Sequence, residues 1–81
     1  MHKVTQTRKK QMTRIQAANA RATEADAAMQ RGDFAAAARG YTHAAEQLEA
    51  IWWEMHRTTK SPDAQNMRHL AIFAIRQRDA A

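Results

Sequence analysis

The sequence predicts an all-α protein, a three-helix up-down-up antiparallel bundle, and three observations carry that expectation. Nowhere does a run of β-branched residues alternate with period two. Apolar residues recur at steps of three and four through three separate stretches. Two short turn signals separate those stretches, and short connections make successive helices antiparallel neighbours. The helices are expected near residues 5–31, 33–57 and 62–79, within one domain spanning residues 1–81.

The first stretch carries Met12, Ile15, Ala18, Ala22, Ala25 and Met29 on one face. It ends at Arg31-Gly32-Asp33, where Gly32 suits the left-handed position after a helix and Asp33 suits the N-cap of the next. The second stretch presents Phe34, Ala38, Tyr41, Ala45, Leu48, Trp52 and Met55, with Phe34, Tyr41, Leu48 and Trp52 expected in the core. It stops in Thr58-Thr59-Lys60-Ser61-Pro62-Asp63. There Ser61 reads as N-cap and Pro62 as the first helical residue, and Asp63 lies in the first turn, where negative charge is favoured. The third stretch places Ala64, Met67, Leu70, Ala71, Ala74 and Ile75 inward.

Of the 81 residues 44% are hydrophobic, but 19 are alanines, so large core side chains are few and helices must pack closely. A chain of this size with such a core is a candidate for self-association. The absence of cysteine excludes disulfides and thiolate metal sites. The longest apolar run, Leu70 to Ile75, falls far short of the roughly 20 residues that span a bilayer. The N-terminus lacks the apolar segment of a secretory signal. A soluble, cytoplasmic protein without a membrane partner is expected.

Adjacent tryptophans pose the first functional question. Neighbours on a helix point about 100° apart, so Trp52 and Trp53 serve different surfaces. The stripe runs through Trp52, which leaves Trp53 outside it. The same arithmetic puts Ile72 and Phe73 on the outer side of the third helix. Trp53, Ile72 and Phe73 are therefore expected near the connection of the second and third helices as a partner-binding surface. His56 and His69 flank that connection and join the same candidate surface. The implied partner is a protein or peptide, a second copy of the chain included.

Residues 32–45 read Gly-Asp-Phe, then Ala37, Tyr41 and Ala44, and resemble the second half of a tetratricopeptide repeat. Arg21 and Glu24 stand where that repeat carries large apolar residues, no proline stands at Glu49, and there is no second copy. Across residues 22–51 the chain is similar to the first hairpin of the microtubule-interacting and trafficking (MIT) domain, with residues 62–79 as its third helix. That resemblance implies a peptide-binding module that takes helical or extended segments in grooves beside the third helix.

Charge raises an alternative. Residues 1–14 hold Lys3, Arg8, Lys9, Lys10 and Arg14 and no acid, and the net charge is +5. These residues, with the basic C-terminal segment, define a nucleic-acid-binding accessory protein as the second hypothesis. Six acids against three bases in residues 21–54 argue against a uniform RNA coat. The four histidines show no i,i+4 pairing or carboxylate at metal-ligand spacing, so no metal is expected. No nucleophile–base–orienter set emerges, and no motif implies a cofactor, so a non-enzymatic protein is expected.

Overall fold

The computed structural model describes the backbone of residues 2–80 and the side chains of residues 12–80. It consists of three helices, α1 (His2–Arg31), α2 (Phe34–His56) and α3 (Pro62–Ala80), with no strand among the described residues. The middle helix organises the rest. α1 packs along one flank of α2 and α3 along the other, with far less direct contact between α1 and α3.

The α1–α2 turn and the start of α3 use the residues that local chemistry favours, whereas α2 ends on a left-handed residue that is not glycine. Gly32 has φ of +79°, its N–H donates to the Met29 carbonyl at 3.1 Å, and the Asp33 N–H donates to the Ala28 carbonyl at 2.9 Å. This pair of bonds is the Schellman arrangement, which satisfies the last carbonyls of α1. Asp33 then caps α2, its Oδ1 accepting from the Ala36 N–H at 3.3 Å. At the other connection Arg57 adopts a left-handed conformation, φ 57°, and its N–H donates to the Trp53 carbonyl at 2.9 Å. Ser61 is buried and its Oγ accepts from the Ala64 N–H at 3.2 Å, which caps α3.

Alanine dominates the interior. Among the described residues every buried apolar side chain is alanine except Tyr41, Leu48 and Ile51. One cluster joins Ala25 and Ala28 of α1, Ala37, Ala38 and Tyr41 of α2, and Ala71 and Ala74 of α3. A second joins Ala18, Leu48 and Ala64, and Met67 packs against both. The closest approach lies at Gly40, where an added Cβ would stand 2.9 Å from the Ala25 Cβ and 3.4 Å from the Arg21 carbonyl oxygen.

The expected core of α2 needs correction at its C-terminal end. Ile51 is the deeply buried large residue, at 2% exposure, while Trp52 and Phe34 are only half-buried and Met55 is exposed. A single stripe describes a helix with one neighbour, and α2 has two. Ala37, Ala44 and Ile51 repeat every seven residues toward α1, Ala38 and Ala45 do so toward α3, and Tyr41 and Leu48 lie between. Trp52 falls on the shared seam but near its open end. Met12 continues the α1 stripe yet is exposed, because α2 ends at His56 and offers nothing further to cover it.

Close packing at Gly40 can be tested by adding a methyl group. Helix propensity alone favours Ala over Gly by about 1 kcal/mol. Forcing a methyl against the Ala25 Cβ costs about 1–3 kcal/mol, which outweighs that gain. Gly40→Ala should therefore lower the melting temperature, and Ala25→Gly in the same background should recover part of the loss. A higher melting temperature for Gly40→Ala alone would show that α1 and α2 are free to separate.

Candidate functional site

On the outer shoulders of α2 and α3 lies an open groove of about 360 Å³. Ala35, Ala38 and Thr42 of α2 face Ile75 of α3 across it, and Arg39, His43 and Arg78 complete its lining. The recess exists because α2 presents small residues there opposite a branched one. Its remaining side chains are basic, so the groove combines an apolar floor with positive charge. Arg78 donates to the adjacent Asp79 at 3.1 Å, a pair exposed enough to contribute little.

The same stripe of α2 runs on from Ala35 through Arg39, Thr42, Glu46 and Glu49 to Trp53. Along it Arg68 of α3 grips Glu49 with two bonds, Nε to Oε2 at 3.0 Å and Nη2 to Oε1 at 2.5 Å. Hydrogen bonding from Arg68 holds the Glu49 carboxyl below its ordinary range, and Glu49 raises the Arg68 guanidinium in return. The pair marks a common level on two antiparallel helices.

From that level the predicted partner residues can be placed. Trp53 lies one turn beyond Glu49 and is 49% exposed, and the Arg57 guanidinium carbon sits 5.9 Å from its ring centroid. Ile72 lies one turn beyond Arg68 and is 47% exposed. Because the helices run in opposite directions, Trp53 and Ile72 flank the ion pair, about 12 Å apart along the axis. Phe73 is 51% exposed but follows Ile72 by one residue, so it lies about 100° farther round α3. The three do not form one knot at the α2–α3 connection. Trp53 and Ile72 border the groove track, and Phe73 stands on the other shoulder.

The histidines also separate. The His56 ring packs on Trp52, with centroids 4.4 Å apart and planes tilted by 49°. His69 is exposed beside Arg68, about 12 Å from the level of His56 along the axis. His43, which sequence reasoning left aside, lines the groove. Among the described residues no three His, Cys, Asp or Glu side chains come together as metal ligands, and no helix is long and apolar enough to cross a membrane.

Of the basic N-terminal candidates, the side chains of Lys3, Arg8, Lys9 and Lys10 lie outside the described residues. Arg14 makes an ion pair with Glu54 and so ties α1 to the end of α2. Inside the bundle the Tyr41 hydroxyl donates to the Asp26 carboxylate, a second tie between α1 and α2. Sequence reasoning missed the groove itself. Ala38 and Ile75 fall on the inward stripes and only Ala35 falls outside one, so the sequence carries no clear signal of a recess there.

Tyr41 supplies a pH test, because it is the only tyrosine. Burial pushes its hydroxyl up to about 12, and the Asp26 carboxylate adds to the shift through its hydrogen bond and its charge. A raised folded value means the stabilisation is fully present below the ordinary value of 10.0 and is lost as pH rises toward about 12. Tyrosinate absorbance should therefore appear well above pH 10, together with alkaline loss of helicity, and an ordinary titration near 10 in the folded protein would refute this environment.

Glu49 has the opposite sign. Its lowered carboxyl contributes above the ordinary carboxylate value, and the contribution is lost as pH falls through the folded value. The pair is partly exposed, so Glu49→Gln should cost no more than about 1 kcal/mol at neutral pH in thermal unfolding, and the difference from the parent should vanish in acid.

Compared with family models, with curated proteins and with solved structures, the chain has no match. Its three-helix all-α architecture is compatible with the hairpin shape that residues 22–51 resemble, and no family or structural neighbour narrows it to the tetratricopeptide or MIT type.

Proposed function

We propose that this is a non-enzymatic protein-interaction module that docks a helical or extended segment of a partner along the α2–α3 face. The observation that carries the reading is the track itself, an apolar recess continued by two large exposed apolar residues, Trp53 and Ile72. Large aromatic anchors that become desolvated dominate binding energy at protein interfaces. Arg39, His43 and Arg78 beside the recess favour a segment with acidic residues flanking its apolar contacts. The partner can be another protein or a second copy of the chain. The hairpin resemblance to MIT and tetratricopeptide modules supports the same class of activity at the level of shape.

The test separates association from folding. Molar mass in solution and affinity capture from the native cell are measured for the parent, for Trp53→Ala and for Trp53→Ala with Ile72→Ala. Trp53→Ala should weaken association by roughly thirty-fold or more, the size expected when an interface anchor is truncated. Helix content and melting temperature should stay close to the parent values, since both side chains are half exposed. Association should also tolerate salt. A folded double variant that associates as strongly as the parent would remove this surface from consideration.

A further inference from the structure

We propose that the broad face opposite the groove is the interface of a symmetric homodimer, in which two copies close apolar face to apolar face into a two-layer, six-helix protein. This face is separate from the α2–α3 track. The three helices form little more than one layer. Their Cα atoms span 53 × 22 × 13 Å. Removing about 4.6 Å of the width for the Cα cylinder leaves roughly 17 Å between the outer axes, about twice the 8–10 Å between packed helices. α1 and α3 therefore stand apart on either side of α2. Stable domains stack at least two layers, so a layer of this kind lacks its second half.

The two faces of the layer differ in kind. Charge gathers on the groove side. Arg39 and Arg78 line the groove, Arg14 and Glu46 line a recess between α1 and α2, and Arg21, Glu24 and Arg31 line another. Glu54 and Glu49 join that side by holding Arg14 and Arg68. The opposite face is marked by Tyr41, which points about 160° from Arg39 and bonds Asp26 of α1. Ile15 stands about three turns before Asp26 and shares its side of α1. Trp52 and Met55 stand about three and four turns beyond Tyr41, on its side of α2. Met29, Met67 and Leu70 pack against the cluster that holds Tyr41. All but Met55 are partly buried, and Met55 is 46% exposed. Phe73, 51% exposed, borders the face one turn from Leu70. Among the described residues of the helices no lysine or arginine falls on this side. Its acids are Asp26, bound by Tyr41, and Asp63 at the start of α3. Depletion of charge with enrichment of Met and aromatic residues is the composition of an interface core. Methionine also adapts to an irregular opposing surface.

Size selects a second copy as the occupant. The layer is 22 Å wide and α2 has 23 residues, about 34 Å, which gives a projected face of about 750 Å². A stable protein–protein interface buries about 800 Å² per partner, so the whole face matches one such interface. A single docked helix, about 10–12 Å across, would cover half of the width and leave the rest in water. Another three-helix layer covers all of it. A face without basic groups presents no charge pattern to a different partner, and about a two-fold axis the same patch meets itself.

The experiment measures sedimentation equilibrium and thermal unfolding of the full chain from about 1 to 100 μM, because linked association makes the melting temperature rise with concentration. At the upper end the parent should show twice the chain mass of 9.2 kDa, and added salt should leave that mass unchanged. Met55→Lys and Phe73→Lys should each weaken dimerisation roughly a hundred-fold or more, since a symmetric interface then buries two unpaired charges. Both positions are half exposed in the single chain, so helix content should stay at the parent value on dilution. A second readout needs no substitution. Peroxide should oxidise Met55 slowly in concentrated protein and quickly in dilute protein. The proposal is overturned by a folded parent that stays at 9.2 kDa throughout, by a folded Lys variant that dimerises as the parent does, or by Met55 oxidation that ignores concentration. Trp53→Ala with Ile72→Ala should leave the dimer mass unchanged, and dissociation by that pair would move self-association to the track. Capture of another protein at the track is scored separately, so the two surfaces fail independently.

Discussion

Close approach of α1 and α2 is the constraint on which the rest of the structure depends. Each buried alanine removes little area from water, so an alanine interior coheres only if the backbones come near enough for their methyl groups to touch. Gly40 opposite Ala25 sets that distance on the α1 side. Tyr41 fills the space where the three helices diverge, and its hydroxyl ends on Asp26 of α1. A core so shallow also has no room for more large side chains. Trp53, Met55, Ile72 and Phe73 are exposed in consequence of this geometry, not in spite of it.

The parts legible in the sequence were those governed by local chemistry. Gly32, Asp33, Ser61 and Pro62 act within a few residues of themselves, and each sits where turn and cap rules require. The misreading of α2 has a different origin. Periodicity located the stripe through Tyr41 and Leu48 correctly, but it does not reveal that two helices share that stripe. Ile51, displaced toward α1, is consequently core while Trp52 near the open end of the seam is half-buried. Exposure of Trp53, Ile72 and Phe73 followed from angle alone. Their separation did not, because it depends on the antiparallel register that the Glu49–Arg68 pair records.

The acidic middle of the chain takes on a specific role in this register. Glu54 holds Arg14 of α1, and Glu49 holds Arg68 of α3, so α2 supplies the acid to both flanking helices. Exposed pairs of this kind contribute at most about 1 kcal/mol each, so they do not explain the fold's stability. They do discriminate between registers. Sliding α1 or α3 by one turn would leave these carboxylates without their guanidinium partners, and on the α1 side it would also break the Tyr41–Asp26 hydrogen bond and move Gly40 away from Ala25.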